Sequence, residues 1–358
     1  MSGTAAVLRA DPTRLDAVFE RVKQRVTSDF ALPAAALAVA DADGPIRVET
    51  FSQAAPISRN SIFFLASVTK PIFATAFMQL VEDGSVGLHQ PIADFEPGLR
   101  GDGKDQITPW HVLTHTSGVV DIQPEMIRRL RPSAEELTRM VVDSPLRFEP
   151  GSRYEYNSAS FYLLGLIMQR ATGLGYKRFL DERLQRPLGM ATTFDPRRSG
   201  RAIVTVENVG VDNAVARYFM GRWLARTALP GGGLFGTLDD LLRFGAALLR
   251  PRDVGDRSLP LRPETVELMA TDQTRGEISG NIDGAEKPVH FGLGWGKPTL
   301  MRETPGSPRV ISHGGATGTR IWVDPDSELV FVFFTNRWAV ERAVEVEALS
   351  GIYEALRA

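Results

Sequence analysis

The sequence predicts an α+β fold. An antiparallel sheet is assembled from strands near both ends of the chain, terminal helices flank it, and a mostly helical segment is inserted between. Three observations carry this prediction. Runs rich in β-branched and aromatic residues lie near both termini, segments with apolar residues at helical spacing fill the middle, and a helix stands at each end, the first of them amphipathic.

The elements follow in order. Pro12 to Val26 reads as a helix with Leu15, Val18, Phe19 and Val22 on one stripe. Ala35 to Ala40 and Ile46 to Phe51 read as strands joined by the turn DADGP. Next comes FFLASVTKPIFATAFMQLVEDG, Phe63 to Gly84, helical from Val68 to Val81 and stopped by Gly84. Thr108-Pro109 supplies a cap and a first-turn proline for a helix that runs through WHVLTH. Ser133 to Val142 opens on a capping box of Ser133 and Glu136. Phe161 to Ala171, Tyr176 to Leu184 and Thr237 to Leu249, the last capped by Thr237, are further helices. Thr319 to Asp324 and Leu329 to Thr335 read as strands around the turn PDSE, and Val340 to Leu356 closes the chain as a helix. Arg197 to Ala216 and Pro251 to Val289 carry weak signals and read as loops or short elements. The resulting division assigns 1–75 and 285–358 to the sheet domain and 76–284 to the helical domain, with a site between them.

Composition narrows the function. The chain has 358 residues, 43% of them hydrophobic and 23% charged, which is ordinary for a globular protein with a large core. A net charge of −2 gives no electrostatic case for nucleic acid or an anionic membrane surface. The absence of cysteine excludes disulfides, thiol nucleophiles and cysteine zinc sites. No apolar stretch of signal-peptide character opens the chain, and no apolar run approaches the length of about 18 residues needed for a membrane span, so a cytoplasmic protein is expected. Oligomeric state has no readable signature. Lysine is scarce, limited to Lys23, Lys70, Lys104, Lys177, Lys287 and Lys297, so Lys70 stands out in its apolar setting.

Three segments carry chemistry. Ser67-Val68-Thr69-Lys70 is an S-x-x-K that places a hydroxyl and an ammonium on one helix face, one turn apart. A serine becomes a nucleophile when a nearby base takes its proton, and a helix N-terminus stabilises developing negative charge. Tyr156, in EPGSRYEYNSASFYLLG, follows a Pro-Gly turn and precedes a helix; beside an ammonium its ionised form is favoured, so it can serve as a general base. ISHGGATG, Ile311 to Gly318, combines a histidine with small residues that let backbone approach backbone, and could donate an N–H to an oxyanion.

SVTK, Tyr156 and HGGATG, in this order, resemble the serine β-lactamase-related family of class C β-lactamases, D-Ala-D-Ala peptidases and β-lactamase-like family VIII carboxylesterases. LVEDGSVGL, ITPWHVLTHTSGV, EPGSRYEY with FYLLG, RPLGM, PGGGLFGTLDDLLRF, FGLGW and the strand pair after HGGATG extend the likeness over about Ser58 to Asn336. The resemblance implies a β-lactamase/transpeptidase-like fold and a covalent acyl-enzyme. It implies Ser67 as nucleophile, Lys70 as the group that orients and helps deprotonate it, and Tyr156 as base. It implies an oxyanion hole from the backbone N–H groups of Ser67 and Ala316, and substrate contacts from Ser158, His313, Gly314 and Gly315. It implies no metal and no organic cofactor.

Two departures bear on substrate. Serine stands at 158, where the family's Tyr-x-Asn motif has an asparagine that contacts the amide side chain of lactam substrates; serine cannot match both its donor and its acceptor reach. Histidine stands at 313 in place of a lysine that would pair with a substrate carboxylate. Neither change touches acyl transfer to Ser67. The expected activity is therefore hydrolysis of small or short-chain esters, with a β-lactamase, a D-amino-acid peptidase or amidase, an acyltransferase or a non-catalytic binding protein on the same fold as alternatives.

Other motifs weigh less. Gly231, Gly233 and Gly236 match G-x-G-x-x-G without the preceding strand that a dinucleotide site needs, and read better as a glycine loop beside the active site. G-x-S-x-G and HExxH are absent. His111 and His115, four apart, lack a partner carboxylate in the motif and read as packing or helix-end groups.

Overall fold

The structure, a computed structural model, describes residues 10–207, 214–250, 261–301 and 304–357. Helix α1 (Pro12–Thr27) leads into strands β1 (Ala34–Ala40), β2 (Pro45–Ser52) and the short β3 (Phe63–Phe64). A 3₁₀ turn, Ala66–Val68, opens into α2 (Thr69–Glu82). A helical stretch follows, with α3 (Pro109–Leu113), α4 (Pro124–Leu130), α5 (Ala134–Asp143), α6 (Phe161–Thr172), α7 (Tyr176–Leu180) and α8 (Ala214–Thr227). Then come β4 (Phe235–Gly236), α9 (Leu238–Leu249), α10 (Pro263–Ala270), the hairpin β5 (Ser279–Ile282) and β6 (Ala285–Pro288), the strands β7 (Ile311–Gly314), β8 (Arg320–Asp324) and β9 (Leu329–Thr335), and α11 (Ala343–Leu356).

The main sheet is antiparallel with strand order β2-β1-β9-β8-β7, so the first strand pairs with the last and the two chain ends build one sheet. The two-residue period of a strand divides its side chains between two faces. Ala35, Leu37, Val39, Trp322, Phe331 and Phe333 pack with α1 and α11. Ala36, Ala38, Ala40, Ile321, Val323, Val330, Val332 and Phe334 join the core shared with α2, α6 and α9. Helix α9 lies in the stretch expected to be the helical domain, yet it packs on β1, β8 and β9. The terminal helices and the long sheet strands fall within two residues of their sequence expectation, save α11, which starts at Ala343 rather than Val340.

Several local features differ from expectation. The helix expected over Tyr176 to Leu184 changes to π-helical turns at Asp181–Gln185, and the one after Thr108 ends at Leu113. The helix expected from Val68 starts at Thr69 behind the 3₁₀ turn. Helices α4, α8 and α10 and the hairpin β5–β6 are additional to the elements the sequence predicts. The parts of the two weak-signal stretches at 208–213 and 251–260 lie outside the described residues. Among the described residues no helix is long and apolar enough to cross a membrane.

Candidate active site

The turn that carries Ser67 is built by backbone pairing. Phe63 and Phe64 pair with Gly236 and Phe235, and the Leu65 N–H donates to the Leu234 carbonyl at 2.9 Å. Ala66 then takes the left-handed conformation, φ +47°, which costs a non-glycine residue on the order of 1–3 kcal/mol. Thr69 holds this turn, donating through Oγ1 to the Ala66 carbonyl at 2.6 Å and accepting from the Leu234 N–H at 3.0 Å. Ser67 is left partly exposed while Ala66, Val68, Thr69 and Lys70 around it are buried.

Lys70 has no exposed surface. Its Nζ lies 2.6 Å from the Gly231 carbonyl, 2.9 Å from Ser158 Oγ and 3.4 Å from Ser67 Oγ. It also sits 4.5 Å from the Tyr156 ring centroid and 5.5 Å from that of Phe161. These partners are neutral. Burial without an adjacent carboxylate drives Lys70 down to about 7, only partly opposed by the more distant negative charge of Asp121.

Tyr156 sits in a turn fastened to the segment after α3. The Glu155 N–H donates to the His115 carbonyl at 2.9 Å, the Asn157 N–H to His115 Nδ1 at 3.2 Å, and Asn157 Nδ2 to the Val119 carbonyl at 2.6 Å. Asp121 Oδ1 accepts from the N–H groups of Ser158 at 3.2 Å and Ala159 at 2.9 Å. The His115 ring lies 4.5 Å from the Tyr156 ring and is fully buried; desolvation and the Lys70 charge hold its pKa well below the ordinary value, so it is neutral. Desolvation raises the pKa of the Tyr156 hydroxyl, outweighing the opposite influence of the neighbouring Ser67. The ammonium expected to favour tyrosinate is itself pushed toward the neutral amine, so the electrostatics run opposite to the sequence expectation.

The fourth wall is the end of β7. His313 is on the same face as Ile311, toward the shared core, and donates from Nδ1 to the Gly314 carbonyl at 2.9 Å. Burial and the Lys70 charge lower its pKa to about 3, so it is uncharged at neutral pH. Gly314 pairs with Arg320 across the strands. Gly315 has no room for a side chain: a Cβ would stand 2.2 Å from Thr319 Oγ1 and 2.4 Å from the Leu65 carbonyl oxygen. That close approach brings Ala316 beside the nucleophile turn, and among the described residues the Ala316 N–H makes no hydrogen bond.

Of the residues singled out around Ser67, Lys70, Tyr156, Ser158, His313, Gly315 and Ala316 are brought together, whereas Gly314 faces Arg320 on the other side of the sheet. Three neighbours of Lys70 and Tyr156 are not among the predicted site residues. Asp121 and His115 sit in THTSGVVD, which looked like a helix end, and Gly231 looked only like part of a glycine loop. A Cβ at Gly231 would fall 2.4 Å from the Ser158 carbonyl oxygen, so glycine is what lets this carbonyl reach Lys70. The glycine loop does border the site. His111 packs as a helix-end group, its Nδ1 accepting from the Thr108 N–H at 3.1 Å. Among the described residues no cluster of potential metal ligands occurs.

A serine at a helix entrance, a desolvated lysine one turn on and a backbone N–H left open just past a strand end fit a serine hydrolase of the β-lactamase/transpeptidase-like fold. The chain belongs to the beta-lactamase family, whose model it matches over residues 18–351. It is 29% identical over 326 residues to esterase EstB of Burkholderia gladioli, covering 78% of this chain and 79% of that protein. Solved structures at 20% identity share the fold, and two illustrate it. A novel penicillin-binding protein homolog from Caulobacter crescentus superposes with a TM-score of 0.79 over 97% of this chain and 98% of that one. EstCE1, a hydrolase with promiscuous acyltransferase activity, does so with 0.77 over 95% and 99%.

Proposed function

We propose that this serine hydrolase is a carboxylesterase for small or short-chain esters, working through an acyl-enzyme on Ser67. The observation that carries the reading is Lys70, buried beside Ser67 among neutral partners. A neutral amine has two N–H groups and one lone pair. The Gly231 carbonyl can only accept, so it takes one N–H. Ser158 takes the other. The lone pair then faces the Ser67 hydroxyl and accepts its proton as Oγ attacks the ester carbonyl. The N–H groups of Ser67 and Ala316 hold the oxyanion. Collapse expels the alcohol, and water, activated by the same amine, attacks the acyl group and releases the acid. Tyr156, kept neutral, donates or accepts a hydrogen bond at Ser67 rather than serving as a resident anion.

An ester is favoured over a β-lactam or peptide substrate because His313 is neutral where lactam-binding relatives place a fixed cation, and because the Ser158 hydroxyl is engaged by Lys70. The likeness to esterase EstB supports the same choice. The test is hydrolysis of p-nitrophenyl acetate and butyrate by the wild type and by Ser67→Ala. Turnover lost in the variant, with a serine-reactive phosphonate labelling only the wild type, is expected. Turnover that survives in Ser67→Ala would refute the assignment, and a wild type that cleaves a chromogenic cephalosporin faster than the esters would move the substrate to a lactam.

A further inference from the structure

We propose that Ser158 relays a proton from Lys70 to the departing alcohol, and is therefore a catalytic residue of this site as well as a contact for substrate. The inference rests on the esterase reading above. Ser158 Oγ is nearer to Lys70 Nζ than Ser67 Oγ is, 2.9 Å against 3.4 Å. Its backbone is held on both sides. The N–H donates to Asp121 Oδ1, and the carbonyl packs on Gly231, whose own carbonyl accepts from Lys70. Its side chain thus has a fixed origin and a defined partner, and the residue is still partly exposed.

The alternative donor is placed differently. Tyr156 presents its ring, not its hydroxyl, to Lys70, and among the described residues no hydrogen bond joins the two. A proton taken up by Lys70 therefore has no direct exit through Tyr156. Through Ser158 it has one. A hydroxyl accepts and donates at the same atom, so it can receive one proton while giving up another. An amide side chain, which the family has at this position, can hold Lys70 but does not exchange a proton in this way.

The step balances. Attack forms the bond between Ser67 Oγ and the carbonyl carbon and moves the serine proton to Nζ, leaving an ammonium. Breaking of the bond between that carbon and the alcohol oxygen leaves an alkoxide. The alkoxide takes the Ser158 hydroxyl proton as Ser158 Oγ takes one from Nζ, so the products are acyl-serine, free alcohol and the neutral amine.

Protonation matters most when the leaving group is basic. The experiment compares kcat/KM, which reports acylation, for an alkyl acetate and for p-nitrophenyl acetate in the wild type, Ser158→Ala, Ser158→Thr and Ser158→Asn. In Ser158→Ala and Ser158→Asn the alkyl ester is expected to lose on the order of 100-fold, and the p-nitrophenyl ester far less. Ser158→Thr keeps the wild-type ratio. Phosphonate labelling of Ser67 reports that each variant retains a folded site. Equal losses on both esters would reduce Ser158 to positioning Lys70 and overturn the relay, as would an unchanged alkyl rate. A wild type without ester turnover would instead overturn the esterase reading, and the relay with it.

Discussion

Two buried cations lie on opposite sides of one sheet and are treated in opposite ways. Arg320, on the face covered by α11, donates from Nε to Glu345 at 2.8 Å and from a terminal nitrogen to Ser312 Oγ at 3.3 Å. Its charge is paired and stays. Lys70, in the layer on the other face, meets two hydroxyls and a carbonyl but no carboxylate within hydrogen-bonding reach. Its charge is unsupported, and the group is left near the pH at which it can both take and give a proton. Desolvation acts on both groups; a guanidinium keeps its charge in any case and here gains a carboxylate partner, whereas an amine without one is driven toward neutrality. The same fold thus gives one cation a carboxylate and leaves the other without one, as the proposed chemistry requires.

The strongest way to break this contrast is to make Lys70 behave like Arg320. Lys70→Arg keeps a cation that cannot become a neutral base, so kcat/KM for p-nitrophenyl acetate should fall on the order of 10³-fold. Retained activity would mean that charge alone suffices. With the neutral amine as the working form of the proposed mechanism, wild-type kcat/KM should rise as pH increases through about 7 and then level off.

Removing the partner on the other face tests the structural half. Glu345→Ala leaves a buried guanidinium without its carboxylate and should destabilise the fold by about 3 kcal/mol or more. Urea unfolding reads this, while phosphonate labelling per folded molecule should be unchanged. Stability equal to wild type would mean that the pair contributes no cohesion.

The smallest effect should come from Asp121, which supports the Lys70 charge from a distance. Asp121→Asn retains an oxygen for the Ser158 and Ala159 N–H groups and removes only the negative charge. The groups facing Lys70 are then Ser67, Tyr156, Ser158 and the neutral His115 and His313. With less support for the ammonium, the acid limb of the kcat/KM profile should move to lower pH. A limb that stays in place would assign Asp121 to hydrogen bonding alone.

Much of the scaffold was legible because its signals are local. The Ser133–Glu136 capping box is present, as are the Thr108 cap and the Thr237 cap, the last completed by Asp240. The hairpin β5–β6 was missed although its turn carries the mark: Asp283 and Gly284 both have positive φ, 53° and 83°, as a two-residue hairpin turn requires. The short, polar flanking strands hid it. The π-helical turns at Asp181 had no comparable local mark. At the site, the residue types were legible and their states were not. Tyr156 was expected to lose its proton readily because it would neighbour an ammonium, but the burial that weakens this ammonium cannot be read from seven letters around a tyrosine.

By itself the sequence determined which groups could meet. Helical pitch puts Ser67 and Lys70 one turn apart, strand alternation sends His313 and Arg320 to different faces, and small residues at 314–316 let a strand end approach the nucleophile turn. Only the tertiary structure decided what those groups are. Ser158 lies 88 positions and Gly231 161 positions from Lys70 in the chain, and Glu345 is contributed to Arg320 by a different helix. Periodicity and capping are settled within a few residues, whereas a protonation state depends on how much water is excluded and which dipoles arrive from elsewhere, and both are set when distant segments pack.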